Sequence, residues 1–339
     1  MPLSPASVSV IIPAYNAALS IERALLSVAA QTLPPAEIIV VDDESHDDTA
    51  SRAKALQKAF EVSKLVVIIQ KNEGAGSARN KAINAATQKY IAFLDADDEW
   101  LPTKLERSMA VMAEGDYVLV AHDYLDATPD GDIHVSCARR FHEGPDPYTS
   151  LYLKGYIPSI SVIVSRQAIL NVGGFNASLR NAQDFELWLK VLAVPGTSFT
   201  VFDEPLARYY HTSGSIMSHT ERRITCCVEI AYQYLSALHK RHTNALQLLM
   251  RRLVNIYFEA FSVYVRSGKL ICALAIPFRL VCSIAHATLK GGSSPATNIA
   301  VPLLGFSLWA VVVFGVYMSQ FRYLVRPVLD VIKTTLGFA

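Results

Sequence analysis

The sequence predicts an α/β fold built on a doubly wound, mainly parallel sheet, followed by a helical C-terminal region with membrane helices. Three observations carry this. Short apolar runs at 8–12 (VSVII), 37–41 (EIIVV), 65–69 (LVVII) and 90–94 (YIAFL) lack polar alternation, the pattern of strands buried on both faces. Helical stripes fall between the runs, and strand–helix repeats in that order imply a doubly wound sheet. Residues 293–321 contain no charged side chain.

Each element has its own signal. The first run is ended by Pro13, and Ile21, Ala24, Leu25, Val28 and Ala29 then form a helical stripe. The second run is ended by Asp42 and Asp43. Asp47 or Asp48 is placed to cap a helix that packs Ala53, Leu56 and Phe60. The third run leads into a glycine-rich turn at 72–80 (NEGAGSARN), after which Ala78, Ala82, Ile83 and Ala86 make a third stripe. The fourth run ends in Asp95.

Composition bounds the function. The chain has 339 residues, is 51% hydrophobic and 18% charged, and carries a net charge of +1. That apolar content excludes a disordered chain. Lys plus Arg number 31 against 30 Asp plus Glu, so no nucleic-acid partner recognised through bulk charge is expected. The five cysteines form no CxxC pair, which argues against a zinc site or disulfide framework and fits a reducing compartment. Residues 1–9 have neither the basic region nor the apolar run of a signal peptide.

The apolar excess lies near the C-terminus. Residues 299–318 (IAVPLLGFSLWAVVVFGVYM) suit a membrane span, since about 20 apolar residues cross the hydrocarbon layer. Residues 270–289 are also apolar but carry Arg279 and His286, and read as a second span, an interfacial helix or a packed soluble helix. Arg251, Arg252, Arg266 and Lys269 precede this stretch, and Arg322, Arg326 and Lys333 follow the stronger span. A hairpin would keep both basic flanks on the cytoplasmic side.

Strand ends in such a sheet hold ligands. Here they carry PAYN (13–16), DDES (42–45), the glycine-rich turn with Arg79, and DADD (95–98). A dinucleotide fingerprint would follow the first strand, where no glycine stands, and no Walker-type GxxxxGK[ST] occurs. What remains is an acidic edge suited to a divalent cation and a ribose diol.

VSVIIPAYN, IIVVDDES with a following DDT, the GSARN turn and YIAFLDADDEWLP together resemble the large family 2 of inverting glycosyltransferases, of GT-A fold. Gly173-Gly174-Phe175-Asn176 with Gln183-Asp184-Phe185-Glu186-Leu187-Trp188 is similar to the family's GGF and ED-x-x-LW segment, and the segment 208–215 to its closing loop. The resemblance covers about residues 6–220 and implies a catalytic domain over 1–220, a helical segment over 221–268 and a membrane-associated region over 269–339.

It also implies roles. Asp97 coordinates Mg²⁺ or Mn²⁺, with Asp95 at the ribose or in the metal's shell and His211 near the metal and the departing diphosphate. Asp43, with Asp42 beside it, hydrogen-bonds the base; Tyr15 packs on the base and Pro13 shapes the turn. Arg79 approaches the diphosphate or base. Asp184 is the general base that takes the acceptor hydroxyl's proton. Gln183 replaces the family's usual Glu. Each residue has a plainer competing role: a solvated turn for Asp95 and Asp97, a helix cap for Asp184, a surface cation for Arg79. No Q-x-x-R-W segment follows Asp184, which points to single transfer rather than polymerisation.

The expected activity is metal-dependent, inverting transfer of one sugar from a nucleoside diphosphate sugar, for example a UDP-sugar. The acceptor hydroxyl belongs to a lipid-linked or glycan acceptor in envelope polysaccharide or glycolipid assembly. The expected location is the membrane, with the catalytic domain on its cytoplasmic face. An inactive nucleotide-binding membrane scaffold and a nucleotidyltransferase are the competing classes.

Overall fold

The computed structural model describes residues 4–143, 146–212 and 219–290. The chain divides into two compact units between Ala273 and Leu274. Among the described residues of the first, nine strands form one sheet.

The first half alternates as the apolar runs require: β1 (Ala6–Ala14), α1 (Ile21–Ala29), β2 (Pro35–Asp42), α2 (Thr49–Ala55), β3 (Lys64–Ile69), α3 (Ala75–Ala85) and β4 (Tyr90–Phe93). The strands pair in parallel in the order β3-β2-β1-β4. Val8, Val10 and Ile12 join Ile21, Leu25 and Val28 of α1 in one apolar cluster. Helix α3 packs on β1 and β2 outside that cluster, giving the two-sided cover a parallel sheet needs. Ile11, Ile12, Ile38 and Ile39 are essentially buried, each burial contributing about 1.5–3 kcal/mol.

Pro13 does not end the first strand. It lies inside β1 opposite Val41. Ile11 C=O accepts Leu94 N–H from the β4 side, whereas Ala14 C=O accepts Asp43 N–H from the β2 side. By alternation the missing N–H of Pro13 faces β4, whose pairing has stopped at Phe93, so no ladder bond is lost. The cap of α2 also differs in detail. Asp48 occupies the cap position without a side-chain bond, while the Asp47 carboxylate accepts from Thr49 N and Ala18 N, both at 3.1 Å.

Beyond β4 the chain runs β5 (Glu99–Trp100), α4 (Lys104–Glu114), β6 (Leu119–Thr128), β7 (Gly131–Val135), α5 (Cys137–His142), α6 (Pro147–Lys154), β8 (Ile163–Ser165), α7 (Arg166–Asn171), α8 (Gln183–Leu192) and β9 (Phe199–Tyr210). The sheet continues β4-β8-β6-β9-β5, with β7 on β6. Strands β6 and β9 are parallel; β8, β5 and β7 pair antiparallel. The glycine pair 173–174 has a steric reason. Gly174 has φ +73°, and an added Cβ would stand 2.5 Å from Asn80 Oδ1. Asn80 instead clasps the turn, accepting Phe175 N–H and donating to Phe175 C=O, each at 2.8 Å.

Helices α9 (Thr220–Gln233), α10 (Leu235–His239) and α11 (Ala245–Arg266) complete this unit, and α11 packs on α9 and α6. Helix α12 (Leu270–Lys290) contains Pro277. By length and composition its residues Leu270–Ala287, at mean hydropathy 1.9, are the one candidate span among the described residues. Ile271, Leu274 and Phe278 on it are exposed. The span expected at 299–318 lies outside the described residues.

Candidate active site

The ends of β1 and β2 are laced to each other. Asn16 N–H donates to Ser45 Oγ and its side-chain oxygen accepts from His46 N, both at 2.9 Å. Asp42 Oδ1 accepts Ser45 N–H at 2.7 Å, while its buried Oδ2 has no partner. Asp43 is fully engaged within the protein. Its Oδ1 accepts from Gln70 Nε2 (2.7 Å) and Glu73 N (3.0 Å), and its Oδ2 from Gly74 N (2.8 Å). Gly74 holds φ +91°, a conformation that favours glycine, and so aims its N–H at the acid. The loop entering α3 is thus fastened to the end of β2 by Asp43. Tyr15 is half exposed and meets the His46 ring edge-on at 6.4 Å.

The end of β4 carries the acidic turn. Asp95 Oδ1 accepts from Arg79 Nη2 at 2.5 Å, and Ser159 Oγ donates to Asp95 Oδ2 at 3.5 Å. Asp97 Oδ2 accepts from Thr212 Oγ1 at 2.6 Å. Asp98 is buried, with Oδ1 accepting Tyr210 N–H at 2.9 Å and Oδ2 without a partner. That contact exists because β5 pairs with β9 and so brings Tyr210 over the turn. Burial and the neighbouring Asp95 raise the Asp97 pKa, and burial with Asp95 and Asp97 pushes Asp98 well above the usual carboxylate value. Arg23 relieves this only partly, because its Nη2 donates to the Asp97 backbone oxygen while its guanidinium stacks on Tyr210 at 3.8 Å.

Crowded hard oxygen donors, one of them buried and orphaned, fit a divalent cation. Mg²⁺ usually takes one or two carboxylates and leaves its other positions to water and substrate phosphate. Asp95 and Asp97 would hold it, with Asp98 behind them. Among the described residues no group of three His, Cys, Asp or Glu side chains makes a complete metal cage. His211 has its Nε2 2.7 Å from Asp126 Oδ1 of β6 and its ring edge-on to Tyr209, in the space that Asp95 also lines.

Arg79 is buried rather than surface-exposed. Besides Asp95 it reaches Gln183 Oε1 at 3.5 Å and stacks on Phe175 at 5.5 Å. Gln183 also donates from Nε2 to Leu179 C=O at 2.5 Å, a bond that a carboxylate at this position would not make. Asp184 lies in the first turn of α8, where the helix dipole favours a carboxylate. Its Oδ1 accepts Phe185 N–H at 2.8 Å. Burial raises its pKa, Arg79 and the Phe185 N–H oppose that, and Asp95 adds to it. The fully buried Trp188, with its Nε1 donating to Ile157 C=O at 3.2 Å, anchors the same helix.

Asp184, Asp95 and Arg79 line one cavity of about 390 Å³. It is also lined by Arg140, Lys154, Arg223 and Arg252, none of which the sequence placed at the site. Ser159 was hidden too, and the contact of Tyr210, within the 208–215 segment, with Asp98 was not legible, since each meets the acidic turn from more than 60 residues away.

The pattern of the family described as Glycosyl transferase family 2 matches residues 9–175. A Bacillus subtilis glycosyltransferase named for teichuronic acid biosynthesis, TuaG, is 34% identical over 214 residues, 62% of this chain and 82% of that protein. The Escherichia coli UDP-Glc:α-D-GlcNAc-diphosphoundecaprenol β-1,3-glucosyltransferase WfgD is 31% identical over 186 residues, 55% of this chain and 69% of that protein. Among solved structures, residues 1–349 of Staphylococcus aureus TarS with UDP-GlcNAc superpose at TM-score 0.62, covering 82% of this chain and 81% of that one at 21% identity. The Pyrobaculum calidifontis mannosyltransferase PcManGT with GDP-Man and Mn²⁺ superposes at 0.57, covering 100% and 91% at 19% identity. Both share the GT-A-like fold.

Proposed function

The chain belongs to glycosyl transferase family 2, and from that premise we propose that it moves one sugar, with inversion, from a nucleoside diphosphate sugar to a hydroxyl of a lipid-linked acceptor at a membrane. The observation that carries this reading is the shared cavity. Asp184 faces the same space as Asp95, with Arg79 between them. WfgD's name specifies a UDP-sugar donor and a diphosphoundecaprenol acceptor, and PcManGT was solved with GDP-Man and Mn²⁺.

Asp184 takes the proton from the acceptor hydroxyl as that oxygen attacks the anomeric carbon opposite the diphosphate. Partial burial strengthens it as a base, while Arg79, the Phe185 N–H and the N-terminal turn of α8 favour its ionised form. One carboxylate suffices for a single inverting displacement. Arg79 holds Asp95 toward the donor edge and moderates the Asp184 pKa. A divalent cation held by Asp95 and Asp97 would supply charge neutralisation for the leaving diphosphate. Asp42, Asp43, Pro13 and Tyr15 shape the nucleotide end, Asp43 by fixing the loop into α3.

Helix α12 adds an exposed apolar surface through Ile271, Leu274 and Phe278, consistent with membrane attachment on the face where donor sugars are made. The reading divides the chain into a catalytic domain over 1–220, a helical segment over 221–268 and a membrane-associated region beyond it.

The test uses full-length protein in detergent, a panel of UDP- and GDP-sugars, and lipid-linked acceptors, with released nucleoside diphosphate as the readout. Acceptor-dependent release that is lost in Asp184→Asn is expected. Absence of release across the panel would overturn the assignment. Retention in the membrane fraction through a carbonate wash is expected too, and a freely soluble full-length protein would overturn the membrane part alone.

A further inference from the structure

Arg140, Lys154, Arg223 and Arg252 line the same cavity, and only two of the four are ion-paired among the described residues. Arg223 is paired with Glu259 at 2.9 Å, and Lys154 with Glu143 at 2.7 Å. Among the described residues, no carboxylate pairs with Arg140 or Arg252. Arg140 is exposed, whereas Arg252, on α11, is only 5% exposed. Arg252 Nη1 donates to Leu153 C=O at 3.0 Å, and its Nε has no partner.

A buried lysine can shed its proton, but a guanidinium stays charged, so Arg252 keeps a desolvated positive charge facing the cavity. A buried charge with no counter-ion is costly, and a ligand anion would complete it. The position of that anion follows from packing. The Arg252 guanidinium lies 4.7 Å over the ring of Phe185, the residue next to Asp184. An anion held there is beside the hydroxyl that Asp184 deprotonates, so it belongs to the acceptor rather than the departing donor.

We propose that Arg252 and Arg140 form an acceptor subsite for a phosphate-type anion carried next to the accepting sugar, such as the diphosphate that joins a sugar to its lipid. The assignment rests on the transferase reading above. Both guanidiniums line the cavity, and each is a fork of N–H donors of the kind that phosphate oxygens accept.

The test is direct binding of decyl diphosphate to the full-length protein in detergent, by calorimetry, with no sugar transfer required. Arg140→Gln is expected to weaken binding about 10- to 100-fold, as removal of a charge-assisted contact does, and Arg252→Gln by at least as much. Asp97→Ala, at the donor edge, is expected to leave it unchanged. Arg140 is exposed, so its variant stays folded even if Arg252→Gln does not, and Arg252→Lys retains a charge that restores part of the binding. Binding equal to wild type in Arg140→Gln and in a folded Arg252→Gln would overturn the subsite. Loss of binding in Asp97→Ala would move the anion to the donor edge and overturn it as well. Equal arginine-dependent binding of decyl glucuronide would replace phosphate by carboxylate. Arginine-dependent binding in a protein that transfers no sugar would refute the transferase reading and leave the subsite standing.

Discussion

At the end of β4 the carboxylates Asp95, Asp97 and Asp98 crowd together, with Arg79 paired to Asp95 and Arg23 only partly relieving the other two, whereas among the described residues Arg140 and Arg252 on the cavity lining have no carboxylate ion-paired to them. Both sets are imbalanced, in opposite senses. The acidic set lacks positive charge, which a cation arriving with the donor would supply. The basic set lacks negative charge, which the acceptor would bring. Asp184 sits where the two meet, and its protonation state answers to both burial and Arg79.

Removing the group at the junction has the largest expected effect. Asp184→Asn keeps size and polarity but accepts no proton, and kcat should fall about 10²- to 10⁴-fold while donor affinity holds. A variant that retains most of its turnover would reduce Asp184 to a helix residue. The same carboxylate sets the pH profile. Its folded pKa is raised by burial, so the base is lost as pH falls through a value above that of an ordinary aspartate. The acid limb of kcat should have its midpoint above the ordinary aspartate value, and a midpoint at or below that value would assign the limb to another group.

Next comes the acidic end alone. Chelation, or Asp97→Ala, should lower turnover about 10²- to 10³-fold, corresponding to several kcal/mol of charge stabilisation. The Ala variant should melt no lower than wild type, because it removes repulsion with Asp95. Full activity in excess chelator would break the comparison by showing that the acids act without a cation.

The smallest effects sharpen the contrast with a buried cation outside the cavity. Lys104 is fully buried, 4.1 Å over Trp100 and 3.4 Å from Val162 C=O, and burial pushes its pKa well below the usual value. The unfolded chain therefore holds a proton that the folded one releases, so stability rises with pH up to about 10.4. Lys104→Met should leave the melting temperature at neutral pH unchanged or higher and flatten that rise. A lower melting temperature would show that the amine itself is needed. The nearby His122 is held down to about 3 by burial and by Lys104. Below its unfolded pKa of about 6.5 only the unfolded chain takes the proton, so stability is lost as pH falls, by about 1.4 kcal/mol per pH unit. His122→Gln should lessen the acid sensitivity, measured by denaturation at pH 7 and pH 5.

Much of the donor half was legible without coordinates. The runs that became β1 to β4 are continuous and β-branched, and their ends carry the chemistry, so one local signal marks both strand and site. Asp95, Asp97 and Arg79 stand at or just beyond those ends, Asp184 came from the resemblance of 173–188 to the family's GGF and ED-x-x-LW segment, and the fold placed Arg79, Asp95 and Asp184 around one space. Two details read differently. Pro13 appeared to end a strand because local pattern does not reveal which neighbour its missing N–H faces. His211, expected near the metal, lines the cavity with Asp95 but has Asp126 as its partner, because β9 runs beside β6.

What the sequence determined by itself is what nearest neighbours along the chain decide: apolar runs, helical stripes, acidic strand ends and an apolar C-terminal stretch. Tertiary structure alone decided which charges find partners. Arg252 faces the cavity because α11 packs on α6, and its guanidinium reaches Phe185 across 67 positions of sequence. Asp98 is capped by Tyr210 from 112 positions away, through the β5–β9 pairing. Such contacts depend on how helices and strands close on one another, so a side chain's charge is visible in the sequence but its counter-charge, or the lack of one, is set by packing.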